Sequence, residues 1–153
     1  MVLDAYEAIL QELGKILKID LHPDPNNSCL IKFEDVSVQI EVFKEDTLLI
    51  VSEIGPVPSG RYRENLFREA MRANGMPAPI HGIFGYGHNT TLLILFELLP
   101  LKDLNGERVS EALTPLLAKA KVWKEALSRG DIPAISIAGP TVGGGTGIFG
   151  LRT

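Results

Sequence analysis

A chain of 153 residues with 45% apolar side chains is long enough for one domain with its own core. Its net charge of −4 and scattered lysines and arginines give phosphate-backbone binding no electrostatic footing, so nucleic acid is not an expected partner. No apolar run reaches the roughly 18 residues that a membrane span requires, so membrane insertion is not expected.

The chain opens MVLDAYEAIL, without a basic n-region or a cleavage-type site, so a secretory signal is not expected. The single cysteine, Cys29, permits no internal disulfide, which accords with a reducing cytoplasm. Tyr6, Ile9, Leu10, Leu13, Ile16 and Leu17 recur at three- and four-residue steps. They predict an amphipathic helix over 4–18, with Asp4 as N-cap and Gly14 a slight weakness. Pro23, Pro25 and two asparagines make 20–28 a loop.

Three strands follow, over 29–33, 36–43 and 47–54. The clearest alternates Val36, Val38, Ile40 and Val42 against Ser37, Gln39 and Glu41. Glu34-Asp35 and Lys44-Glu45-Asp46 supply short turns, so neighbouring strands run antiparallel. Gly55-Pro56-Val57-Pro58 stops this sheet segment. A second helix is predicted over 60–74, with Ser59 as N-cap and Gly75 at a position that favours positive φ. Its apolar stripe is Tyr62, Leu66, Phe67, Ala70 and Met71, and its arginines form a solvated face.

After a proline-bearing linker, a short strand is expected over 82–86 and a long one over 90–99. In the long strand Leu92, Ile94, Phe96 and Leu98 share one face, and Thr91, Leu93, Leu95 and Leu99 the other, with Glu97 the only charge. An ordinary antiparallel strand has one wet face. Here both are apolar, so the chain's helices are expected to cover one and a second copy of the protein the other.

The last helix is predicted over 105–129, on a stripe that includes Val109, Leu113, Leu116, Ala120, Trp123 and Leu127. Pro115 interrupts it: either one helix kinks or starts late, or Thr114 caps a second helix. The chain thus reads as α+β, a single five-stranded antiparallel sheet flanked by three helices in the order α-β-β-β-α-β-β-α. Residues 1–130 form the domain, and the glycine-rich stretch 131–153 reads as a flexible tail carrying Ile135, Ile137, Ile148, Phe149 and Leu151.

Catalytic chemistry is not visible. His22, His81 and His88 make no HxxxH or HxH spacing, and there is no CxxC. The glycine run 143–147 lacks the lysine and the strand–helix setting of a phosphate loop. Cys29 sits in an apolar alternating strand, where a thiol behaves as a small hydrophobe. No enzyme, cofactor or metal site is expected. Excess apolar strand surface suggests instead a binder of extended polypeptide.

The order and apolar pattern of these pieces resemble the class I type III secretion chaperones, the CesT/SycE-like family. The matching segments are 6–17, 29–33, 36–42 with Glu41, 48–58, the REAMRAN run 68–74, Gly85-Tyr86, 92–101 and 109–127 with Trp123. Pro115 is a departure from that pattern. The resemblance implies a cytoplasmic bacterial homodimer without cofactor. It would hold the N-terminal segment of a secreted effector in a non-globular state, with the secretion-apparatus ATPase as a further candidate partner. Carried onto this chain, the dimer interface falls on Leu66, Phe67, Ala70, Met71, Phe84, Leu92, Ile94 and Phe96. The cargo-binding groove falls on Leu13, Ile16, Leu17, Leu30, Phe33 and Val38. Two other readings stay open: a small-molecule-binding or enzymatic α+β domain, and a regulatory binding protein of the same fold.

Overall fold

The computed structural model describes residues 2–133. The tail read at 131–153 therefore lies, beyond Pro133, outside the described residues. The elements are α1 (Val2–Leu17), β1 (Ser28–Lys32), β2 (Ser37–Phe43), β3 (Thr47–Pro56), α2 (Arg61–Asn74), β4 (Ile83–Gly87), β5 (Leu92–Pro100) and α3 (Gly106–Arg129). One antiparallel sheet carries the strands in the order β1-β2-β3-β5-β4. β5 pairs with β3, which leaves β4 at one edge and β1 at the other.

The alternation in β2 places Val38 and Ile40 under the helices, fully buried, while Gln39 faces the other way. β3 runs on through Gly55 and Pro56, past the expected stop. A register shift between Glu53 and Gly55 absorbs the irregularity, and Gly55 takes a φ of +147° that other residues avoid.

α1 starts at Val2, so Asp4 lies inside its first turn rather than capping it. Tyr6, Ile9, Leu10 and Leu13 pack on the sheet. The Tyr6 hydroxyl donates to the Ile40 carbonyl at 2.7 Å. Each of these leucines contributes about 2 kcal/mol by leaving water. The helix ends where Lys18 adopts φ 63° and the Ile19 N–H bonds back to the Gly14 carbonyl at 3.0 Å. This is a left-handed C-terminal cap built without glycine at the left-handed position.

α2 is capped by Gly60, with no side-chain bond, so Ser59 is not its cap. Gly75 has φ −93° and does not use the left-handed freedom its position suggested. Leu66, Ala70 and Ala73 are buried, whereas Met71 falls off the stripe and is 69% exposed.

α3 is one helix with Pro115 inside it, so no second helix begins at Thr114. Asn105 caps it by accepting from the Arg108 N–H at 2.8 Å. Glu12 of α1 accepts from the Gly106 N–H at 2.7 Å. The two helices meet so closely there that a Cβ on Gly106 would lie 2.5 Å from that of Glu12. Farther along, Trp123 stacks on Phe84 with ring centroids 4.3 Å apart. Gly130 closes the helix with φ 74°.

Candidate functional site

The two edges of the sheet are treated differently. At β4 the Asn74 side chain accepts from the Phe84 N–H at 2.8 Å and donates to the Phe84 carbonyl at 3.1 Å. One amide thus takes both outward-facing groups of that residue. At β1, among the described residues, the same service is given only to Ser28. Its N–H donates to the Asp24 carboxylate at 2.9 Å, and its carbonyl accepts from the Asp24 N–H at 2.8 Å. Outward groups recur every second residue along an antiparallel strand, so Leu30 and Lys32 also present N–H and C=O away from β2. Among the described residues β1 pairs only with β2. The Leu30 side chain is 56% exposed. This is an edge open to strand addition.

A depression lies at each end of β1. The first, about 550 Å³, runs between α1 and the turn that follows it, and is lined by Gly14, Lys15, Lys18, Ile19, Leu21 and His22. It adjoins β1, because a His22 backbone hydrogen bond reaches the Cys29 sulfur. The second, about 190 Å³, is lined by Phe33, Val36, Leu117 and Ala118. The Lys121–Asp35 ion pair, 3.1 Å, ties the β1–β2 turn to α3 beside it.

The second surface is the sheet face turned away from the buried core. Register pairs Leu49 with Leu98, Val51 with Phe96, and Ile83 with Phe96 on that face. Leu98 and Ile83 are each 44% exposed, and Leu92, Ile94, Phe96, Leu49 and Val51 are half-buried. On the opposite face Leu48, Ile50, Leu93, Leu95 and Leu99 are buried. Both faces of β5 are apolar, and among the described residues the chain covers one of them.

The candidate residues sort unevenly over these surfaces. Ile16 and Leu30 are exposed, and Leu17 and Phe33 half-buried. Leu13 and Val38 are fully buried between α1 and the sheet, so they support a groove from beneath and present no surface to a partner. Of the dimer candidates, Leu92, Ile94 and Phe96 lie on the bare sheet face. Leu66, Ala70 and Phe84 are enclosed by their own chain, because α2 turns its stripe inward and Phe84 points at Trp123. Phe67 packs edge-on against Tyr86, with centroids 4.7 Å apart. The pairing of Ile83, Leu49 and Val51 with β5 was missed in the sequence. A strand's own alternation does not say which strand lies beside it.

Among the described residues burial shifts several titratable groups. Burial pushes the Cys29 thiol up, with nearby Asp24 adding to the effect, so the thiolate is disfavoured. Burial likewise holds the Tyr6 hydroxyl well above its ordinary range. Glu97 lies on the helix-covered face of β5, opposite Ile50. Burial raises its carboxyl, against the smaller opposing pull of Arg108, His81 and Lys119. Lys119 is pushed down by burial in turn, and its Nζ donates to the Gly82 carbonyl at 3.2 Å. Among the described residues no group of three or more His, Cys, Asp or Glu side chains is placed to hold a metal ion, and no helix is long and apolar enough to cross a membrane.

Comparison with solved structures finds the same fold. The chain is similar to one in the crystal structure of the Yersinia pestis type III secretion chaperone SycH in complex with a stable fragment of YscM2. The TM-score is 0.59 at 16% identity, covering 77% of this chain and 98% of that one. It is similar to a chain of the ExoT–SpcS complex from Pseudomonas aeruginosa, with TM-score 0.61 and 18% identity over 77% and 96% of the two chains. The ExsC–ExsE complex contains another, with TM-score 0.62 and 20% identity over 81% and 94%. No curated protein sequence matches. The model of the Tir chaperone protein (CesT) family matches residues 8–124, most of the chain, and the protein belongs to that family.

Proposed function

We propose that this protein is a cytoplasmic type III secretion chaperone that acts as a homodimer and holds the N-terminal segment of an effector in extended form. The open β1 edge carries this reading: among the described residues Leu30 and Lys32 offer outward backbone groups without a partner between two depressions, while at the opposite edge Asn74 takes those of Phe84 and leaves Tyr86. An added cargo strand gains backbone hydrogen bonds along β1 and places side chains in the flanking hollows. Ordering that segment costs conformational entropy, so a long wrapped surface is needed for useful affinity. Two copies meeting through the bare sheet face lengthen it. Family membership and the fold shared with the type III secretion chaperone SycH support the same reading. Nothing in the site calls for catalysis or a cofactor, and the secretion-apparatus ATPase is the natural recipient of the loaded chaperone.

The test is Leu30→Pro. Proline on an edge strand is tolerated where its missing N–H faces outward, as here, so the β1–β2 ladder survives. The variant is expected to keep its circular dichroism spectrum and to lose both co-purification of the effector that the wild-type protein captures and that effector's secretion. Undiminished capture by a folded Leu30→Pro protein would overturn the edge as the cargo site.

A further inference from the structure

We propose that Asp24 sets the register of the cargo strand added to β1, so that the strand spans the levels of Leu30 to Phe33 and seats one large apolar side chain in the hollow between the β1–β2 turn and α3. This rests on the strand-addition reading above and adds the strand's register and the chemistry of its anchor. Asp24 already holds both outward groups of Ser28, at 2.9 and 2.8 Å. The edge is therefore closed toward α1, and the α1 hollow lies beyond that closure. In the other direction nothing among the described residues intervenes. Leu30 and Lys32 turn their backbone groups away from β2, and Phe33 follows directly, its own N–H donating inward to the Val36 carbonyl at 2.9 Å.

Alternation then fixes where an added side chain goes. Residues of the new strand level with Leu30 and Lys32 share the exposed face of those two side chains. The residue level with Phe33 points to the helix-covered face, where Phe33 packs against the core. The hollow on that side is lined by Phe33, Val36, Leu117 and Ala118, with Glu34, Asp35 and Lys121 as its charged members. At about 190 Å³ it falls short of a small-molecule cleft, roughly 300–1,000 Å³, and suits a single side chain. Its one cation is already engaged: Lys121 pairs with Asp35 at 3.1 Å, and Glu34 acts on the same lysine. Two carboxylates against one lysine disfavour an acidic occupant. The anchor is therefore selected by apolar area, as leucine, isoleucine, methionine or phenylalanine supplies it.

The experiment uses the full chain and two fluorescein-labelled peptides that share one alternating threonine–serine strand. One carries leucine at its centre, the other serine. Their affinities are read by fluorescence anisotropy. The leucine peptide is expected to bind about tenfold tighter, the effect of burying most of one leucine side chain. Ala118→Leu fills the hollow from an exposed helical position. It should abolish the preference and leave the affinity for the serine peptide unchanged. Ile19→Ser, in the hollow on the α1 side of Asp24, should change neither affinity. Three results overturn the register and anchor: equal affinity in the wild-type protein, a preference that survives Ala118→Leu, or one that disappears in Ile19→Ser. With binding lost in Leu30→Pro, each of them leaves the edge reading standing. Failure of both peptides to bind, or binding untouched by Leu30→Pro, overturns both.

Discussion

The side-chain amide of Asn74, in the last turn of α2, stands in for a sixth strand against Phe84 of β4. It meets both the N–H and the carbonyl of that residue, at 2.8 and 3.1 Å. The contact fixes α2 against the sheet edge and removes the outward backbone groups of Phe84 from solvent. Asn74→Ala leaves both without a partner at a half-buried site, which costs about 1–3 kcal/mol. Asn74→Asp keeps the acceptor and loses the donor, so it should fall between the two. Urea denaturation midpoints for the three proteins should rank wild type, Asn74→Asp, Asn74→Ala.

The bare face of the sheet separates two kinds of interface candidate. Ile94 lies on that face, and a glutamate there meets water in the monomer and apolar neighbours in the dimer. Ile94→Glu is therefore expected to give a folded monomer by light scattering, with little loss of monomer stability. Phe84→Ala acts through the core instead, because the ring packs on Trp123. It should cost about 3–5 kcal/mol whatever the oligomeric state. A folded Ile94→Glu protein that stays dimeric would place the twofold contact elsewhere.

Helix propensity alone recommends Gly14→Ala, by about 1 kcal/mol. The structure reverses the sign. A Cβ at Gly14 would sit 2.6 Å from the Ile19 carbonyl oxygen, a backbone atom in the turn that closes α1. Gly14→Ala should lower the thermal midpoint by several degrees and loosen the groove beside it.

Glu97 makes stability depend on pH in the direction opposite to an ion-paired acid. Burial raises its folded-state pKa above the ordinary 4.5. The folded protein therefore binds that proton more tightly than the unfolded chain does. Its contribution is greatest below the unfolded pKa and is lost as pH rises through the folded one. Glu97→Gln should flatten the fall in urea midpoint between pH 4.5 and the neutral range.

The elements were largely legible in the sequence because their periods are clean. Val38 and Ile40 mark β2, and the Leu10–Leu13 spacing marks α1, without reference to anything distant. Function was less legible, for a physical reason. Apolar spacing identifies a face and leaves open what covers it. Leu13, Val38, Leu66 and Phe84 have the same chemistry as Leu30 and Ile94, yet the first four are packed inside and the last two are not. Asn74 gave no signal at all, since an asparagine followed by glycine near a helix end reads as a cap. Its partner lies ten residues on, across a linker containing a cis Ala78–Pro79 bond.

Among the described residues one border of this sheet is more fully tied off than the other, and that asymmetry weighs against open-ended growth. Open-ended stacking of sheets into a fibre requires every unit to offer two vacancies, one for the unit before and one for the unit after. Among the described residues β1 offers two such positions in succession, Leu30 and Lys32, and β4 offers Tyr86 alone, so the two margins are unequal. Growth through the β4 margin would rest on one residue's backbone pair, which disfavours it.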